Sequence, residues 1–221
     1  MTPPPKAVIF DCDGVLVDSE PMSFELLAQS LRNHGLVMTL PQMEAAFLGG
    51  TIRGVRDKAR ALGADLPENW VEDFYALLYA RLAQGTALIP GILAVLDRLD
   101  VAGVVYAVGS NGTMRKMQVT LGQHPGLMDR FAGRLFSGQD LGMLKPAPDL
   151  YLHAGRVLGA AAAHCVVIED SPTGARAAAR AGMVCHGYAP HGAGAALKAE
   201  GARVFRDMSE LPRLLGLDAA F

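Results

Sequence analysis

Residues 6–11 (KAVIFD) form a short apolar run that ends on an acid and leads into a turn at Gly14. A helix would need a longer periodic stretch, and a strand with one wet face would alternate apolar and polar positions. The run therefore predicts a strand buried on both faces. Similar runs recur at residues 104–108, 165–168 and 184–188, with weaker ones at 135–137 and 203–205. Between them, residues 91–100, 113–121, 149–158 and 172–181 carry apolar side chains at helical spacing, and Pro172 takes a favourable first-turn place. Strand and helix alternate, which predicts an α/β unit with a doubly wound parallel sheet covered by helices on both faces.

Residues 20–84 break that alternation. They give helical segments at 21–34, 39–48, 51–62 and 67–84 with no convincing strand between them. Gly35 ends the first, and Thr39 is an N-cap followed by Pro41 in the first turn of the second. The expectation is a small helical domain of residues 16–85 inserted after the first strand, with residues 1–15 and 86–221 forming the core. Asp18 and Ser19 read as caps of its first helix. Trp70, Phe74, Tyr75 and Leu78 read as a packed face of its last.

The composition excludes several classes of function. With 20 Lys+Arg against 22 Asp+Glu, the 221-residue chain has no broad positive field, and no basic run is longer than a pair. No nucleic-acid partner is expected. At 51% hydrophobic the chain is too apolar for disorder, yet no stretch approaches the ~20 residues of a membrane span. The N-terminal MTPPPK lacks the apolar segment of a signal peptide, and Cys12, Cys165 and Cys185 are an odd number at no metal-ligand spacing. A cytoplasmic monomer or small homo-oligomer with no membrane partner is expected. The six His make no ligand pair.

Ligands of open parallel sheets bind at the carboxyl ends of the strands, so the residues just beyond each strand are the candidates for chemistry. The first strand is followed by Asp11 and Asp13, the second by Ser110 and Asn111, a third by Lys145 after a loop, and the fourth by Glu169 and Asp170. Carboxylates gathered at one point repel one another unless a cation sits among them, and an all-oxygen site open to phosphate suits Mg²⁺. Lys145, Ser110 and Asn111 would then offset the charge of a phosphoryl group. Ser171 reads as the N-cap of the helix that Pro172 opens.

These residues stand in four ordered motifs, DCDGVLVDSE, SNG, LKPAPDLY and VVIEDSPTGARAAARAG. Together they resemble the haloacid dehalogenase superfamily of phosphohydrolases over nearly the whole chain. The helical insertion is similar to the α-helical cap of the branch containing phosphoglycolate phosphatase and β-phosphoglucomutase. The resemblance implies a Rossmann-like core and an Mg²⁺-dependent phosphatase of a small phosphorylated metabolite, working through an aspartyl-phosphate. It implies Asp11 as the nucleophile and Asp13 as the acid/base, with Lys145 and Ser110 on the phosphoryl oxygens and the amides of Cys12, Asp13 and Asn111 helping. Mg²⁺ would be held by Asp11, the carbonyl of Asp13, Asp170, and Glu169 directly or through water. The Lys145–Pro146 bond would be cis.

The cap segment LGGTIRGVRD occupies the family's substrate-reading loop, which makes Arg53 a candidate for specificity and Gly49–Gly50 a place where backbone can approach substrate closely. Mutase relatives carry Lys where Gly49 stands and His where Ser23 stands. Their loss favours hydrolysis over a phosphosugar mutase. The segments SNGTMRKMQ and LFSGQDLGMLKP look most like sugar-phosphate or phosphogluconate phosphatases, and an Arg able to meet a carboxylate agrees. A different class, the phosphorylatable receiver-like regulatory module, also clusters acids, Mg²⁺, a hydroxyl and a Lys. It has no helical insertion and no counterpart of Asp13.

Overall fold

A computed structural model of the chain describes residues 4–48, 50–192 and 194–217. The run after Lys6 forms β1 (Ala7–Phe10), buried at every position. Successive side chains of a strand point to opposite faces, so Val8 and Phe10 enter one apolar cluster and Ala7 and Ile9 another. Both faces of this strand are thus inside the protein.

The chain then leaves the sheet. Gly14, in the left-handed region, turns it toward β2 (Val17–Asp18), and four helices follow: α1 (Glu20–Asn33), α2 (Leu40–Phe47), α3 (Ile52–Ala61) and α4 (Trp70–Leu82). It returns through β3 (Ala87–Leu88), which pairs antiparallel with β2. Next come α5 (Ile92–Val101), β4 (Val105–Ser110), α6 (Met114–Leu121), α7 (Leu127–Arg130), β5 (Leu135–Ser137), α8 (Gly138–Leu141) and α9 (Asp149–Val157). The chain finishes with β6 (Cys165–Glu169), α10 (Pro172–Arg180), β7 (Val184–Tyr188), α11 (Ala195–Ala199), β8 (Arg203–Phe205) and α12 (Leu211–Leu214).

Six strands join in the order β5-β4-β1-β6-β7-β8, every neighbouring pair parallel. Helices α5, α6 and α12 pack on the Phe10 face, and α9, α10 and α11 on the Ile9 face. This is the doubly wound α/β sheet that the alternating runs predict. The chain winds outward from β1 in both directions, so a crevice opens where β1, β4 and β6 end. No helix of the described residues is long and apolar enough to cross a membrane.

The four helices between β2 and β3 bury an apolar cluster of their own, with Trp70 stacked on Phe74 at 5.0 Å and its indole N–H donating to Ser30 Oγ at 2.9 Å. Thr39 caps α2 through a capping box with Gln42. The last helix starts at Trp70 rather than at 67, because Pro67–Asn69 form a turn closed by Trp70 N–H on the Pro67 carbonyl at 3.2 Å.

Two sets of contacts fasten this helical segment to the sheet unit. Gln123, just beyond α6, donates through Nε2 to the Leu82 carbonyl at 2.9 Å and accepts from Thr86 N–H at 3.0 Å. Farther along α4, the Tyr79 hydroxyl meets Thr113 Oγ1 at 2.7 Å and Tyr75 donates to Gln139 at 3.0 Å. On the opposite side, between α1, α2 and the loop after β7, a cleft of about 1140 Å³ stays open.

Gln123→Ala leaves the Thr86 N–H without its acceptor beside a buried side chain. The expected cost is about 2 kcal/mol, or roughly 4–8 °C in Tm for a chain of this size. Calorimetric unfolding checks it, and an unchanged Tm would mean that the return linker takes no hold from Gln123.

Candidate active site

The crevice gathers the residues named from the strand ends. Asp11 N–H still bonds the Ile168 carbonyl at 2.9 Å, which holds Asp11 at the end of the β1–β6 ladder. Asn111 follows β4 and grips the main chain of Lys145 from both sides. Its Oδ1 accepts from Lys145 N–H at 2.9 Å and its Nδ2 donates to the Lys145 carbonyl at 3.3 Å. The Lys145–Pro146 peptide is cis, as the family resemblance implies.

So placed, Lys145 Nζ lies 2.5 Å from Asp11 Oδ1 and 2.6 Å from Glu169 Oε1, over the ring of Tyr151. Glu169 ends β6 and has no solvent exposure. Its Oε1 accepts from Lys145 and from the Tyr151 hydroxyl at 2.7 Å, and its Oε2 from Asp170 N–H at 3.0 Å and from Ser171 N–H and Oγ, both at 2.9 Å. Ser171 also caps α10, as expected, by accepting from Gly174 N–H. Asp170 needs the glycine at position 14, since a Cβ there would stand 2.0 Å from Asp170 Oδ2.

Asp13 is held differently. Its Oδ1 accepts from Ser19 Oγ at 2.5 Å and pairs with Lys116 Nζ at 2.8 Å. Ser19 was expected to cap α1 with its side chain, and it does not. Its φ and ψ are helical, an unsuitable geometry for an N-cap, and its hydroxyl is spent on Asp13.

The electrostatics follow from burial. It opposes the charge on Lys145, but Asp11 and Glu169 outweigh it and hold the ammonium well above its ordinary value. Burial also disfavours ionised Glu169, and Lys145 with the hydrogen bonds from Ser171 and Tyr151 overcomes it and holds this carboxyl low. Asp11 shares the same ammonium with fewer donors. Burial, with Glu169 and Asp13 nearby, pushes it up to about 7. Burial and the neighbouring Glu20, Glu169 and Asp11 raise Asp170 well above the carboxylate range, and burial and Asp13 push Glu20 up to about 7. Around Lys116 the Asp13 carboxylate more than offsets burial. Three acids that resist ionisation mark a deficit of positive charge.

A cavity of about 140 Å³ lies over this floor, between it and the helical segment. Asp11, Asp13, Ser110, Asn111, Lys145 and Asp170 all line it, and so does Gly50. Arg53 does not; it is exposed on the outer side of α3. Gly49 lies outside the described residues. Trp70, Phe74, Tyr75 and Leu78 form the packed face expected of α4, in or against the segment's apolar cluster; Phe74, Tyr75 and Leu78 also border the cavity, and Tyr75 reaches across to Gln139.

Sequence reasoning missed Lys116, Glu20, Gln139 and Tyr151. Lys116 lies a helical turn beyond SNG and Glu20 closes DCDGVLVDSE, both at the start of a helix, where a charged residue is usually solvated. Tyr151 was indistinguishable from an apolar position of α9.

Comparison with known proteins decides the family. The model of the haloacid dehalogenase-like hydrolases matches residues 5–182. The chain belongs to this family. It is a hydrolase of phosphoric monoesters, as the motifs led one to expect. It is 31% identical over 180 residues to the 6-phosphogluconate phosphatase of Escherichia coli K12, covering 80% of each chain. It is also 31% identical over 209 residues to the Arabidopsis thaliana protein SUPPRESSOR OF QUENCHING 1, chloroplastic, of whose length it spans only 19%. The crystal structure of a HAD family hydrolase from Deinococcus radiodurans R1 with bound phosphate and sodium superposes with a TM-score of 0.78 at 32% identity, covering 100% of both chains.

The grip on Glu169 yields a test. A Cβ on Gly174 would fall 1.6 Å from Glu169 Oε1, and the carboxylate is fixed by its donors. Gly174→Ala is expected to cost about 3 kcal/mol, roughly 6–12 °C in Tm. Thermal unfolding reads it, and a wild-type Tm would show that the carboxylate can yield.

Proposed function

We propose that this hydrolase dephosphorylates a small phosphorylated metabolite in two steps, with Asp11 as nucleophile and Asp13 as acid/base. The observation that carries it is the Asp11–Lys145 contact of 2.5 Å on the cavity floor. An ammonium bound to Oδ1 orients the carboxylate and leaves Oδ2 to attack phosphorus in line. The bond from phosphorus to the ester oxygen breaks as the aspartyl-phosphate forms, and Asp13 delivers a proton to the departing alkoxide. Asp13 then takes a proton from the water that attacks the acyl phosphate, releasing phosphate and restoring Asp11. Lys145 and Ser110 bind the phosphoryl oxygens, with the amides of Cys12, Asp13 and Asn111. Asn111 has a further task through its side chain, which positions Lys145.

The donors present fit Mg²⁺. Asp11 and Asp170 are pushed up by burial and by neighbouring carboxylates, and the missing side chain at Gly14 leaves room beside Asp170. Among the described residues no three His, Cys, Asp or Glu side chains form a cage by themselves, so a backbone carbonyl and water would have to complete the ion's shell. Asp11, Asp170 and the Asp13 carbonyl would hold it. When bound, Mg²⁺ neutralises charge on the transferring phosphoryl group. Glu169, with both oxygens engaged by five donors, we assign to anchoring Lys145 rather than to the ion.

We take residues 16–85 as a cap that closes over Asp11. Its position supports hydrolysis inside a screened cavity, as against a receiver-like module with an open phosphorylation site. Ser23, where mutases carry His, donates to the Ser19 carbonyl at 2.7 Å and faces the site with no base.

On p-nitrophenyl phosphate with Mg²⁺, Asp11→Asn is expected to abolish turnover and Asp13→Asn nearly so. Lys145→Ala should lower kcat by about 10²–10³-fold. Near-normal turnover by Asp11→Asn would falsify the mechanism. Removing the metal supplies a second test. Because Asp11 is held up to about 7, it keeps its proton at pH 6 and must lose it to accept a cation. Mg²⁺ should therefore raise Tm more at pH 8 than at pH 6, and hardly at all in Asp170→Asn. Equal shifts at both pH values would mean that neither Asp11 nor Asp170 gives up a proton to the cation in this range.

A further inference from the structure

The wall of the cavity contributed by the helical segment has a chemistry unlike the floor's. Apolar side chains make most of it, among them Phe24, Phe47, Leu48, Ile52, Val55 and Leu78. Each of its hydroxyl groups has a partner in the protein: Ser23 donates to the Ser19 carbonyl, Thr51 accepts from Gly54 N–H, and Tyr75 donates to Gln139. Among the described residues, Glu20 at the hinge is the charged group that this segment gives the cavity, and it is an acid. The nearby cations point elsewhere. Arg53 is exposed, Arg56 pairs with Asp57, and Lys58 donates to the Ala46 carbonyl at 2.7 Å. Both ammonium groups of the floor are committed, Lys145 to Asp11 and Glu169 and Lys116 to Asp13.

A substrate is fixed at one end, since its phosphoryl group must meet Asp11 and Lys145. Whatever the ester carries beyond that oxygen then meets a lining in which apolar side chains predominate, with Ser23, Thr51, Tyr75 and Gln139 as neutral polar members and Glu20 as an acid. A second anionic group there would be stripped of water with no cation to meet it, which is strongly unfavourable. An apolar body would instead gain by leaving water.

We propose that the substrate is the phosphate monoester of a small alcohol with an uncharged, largely apolar body, and that the cap wall rejects esters bearing a second anionic group. The proposal rests on the phosphomonoesterase assignment and deepens it. It sets aside the phosphogluconate-like and phosphoglycolate-like substrates that the sequence suggests.

A matched pair of esters tests it. With the full chain and Mg²⁺, kcat/KM for phenyl phosphate is expected to exceed that for 4-carboxyphenyl phosphate by about 10²-fold. Ile52→Lys, which places a cation on the wall, should narrow the ratio to about tenfold, mainly through KM of the carboxylated ester. The wild-type ratio requires no variant to fold. Equal kcat/KM for the two esters would overturn the proposal, as would a preference for the carboxylate that Arg53→Ala removes, or a ratio untouched by Ile52→Lys. If neither these esters nor any other phosphomonoester were turned over, the phosphomonoesterase assignment itself would fall, and the proposal with it.

Discussion

One buried ammonium, Lys145, holds the site together. It stands between Asp11 and Glu169, which come from different strands, and without it these two carboxylates would be buried together with no counter-charge between them. Much of the surrounding structure serves to keep that ammonium in place. Asn111 fixes its main chain and Gln139 fixes Asn111. Tyr151, two backbone amides and the Ser171 hydroxyl fix Glu169. Breaking any one of these leaves a buried charged or polar group short of a partner, so the parts act as a unit and their individual contributions are not additive.

The topology explains why residues so far apart in sequence share one ammonium. β1 is central, with β4 on one side and β6 on the other, and all three run parallel, so their carboxyl ends lie side by side. Asp11, Asn111 and Glu169 each sit at such an end. The second acid, Asp13, lies beyond the sheet in the turn that leads to the helical segment. There it is held by Ser19 from the segment's first turn and by Lys116 from α6. α6 also carries Val119, which packs against the segment's own apolar cluster. Asp13 is thus connected to the position of the cap in a way that Asp11 is not.

How far the sequence disclosed this depends on the kind of interaction. The strands at 135–137 and 203–205 were legible although weakly apolar, and 135–137 also falls between two segments with helical periodicity, where a parallel sheet requires a strand. The site residues at the strand ends were legible because topology alone brings them together. What escaped were partners chosen by side-chain direction. Tyr151 and Lys116 sit on helices whose periodicity suits a solvated or core position equally well, and only the fold shows that one reaches Glu169 and the other Asp13. Ser19 and Arg53 fail for the converse reason. Each has a residue type suited to the expected task, and in each the backbone places the side chain elsewhere.

The wall over the floor serves two purposes at once. Phe47, Val55, Phe74 and Leu78 line the cavity and are also nearly fully buried members of the cap's own core. A polar replacement at any of them would remove apolar packing and bury a polar group in the same step, each of which costs stability. The half-buried Phe24, Leu48 and Ile52 border the same space with more of their surface outside that core. Specificity can be altered at these three with little loss of cap stability, whereas at the buried four it is tied to folding. A cap whose core doubles as its binding wall therefore favours an apolar leaving group on grounds of stability alone, before any substrate is considered.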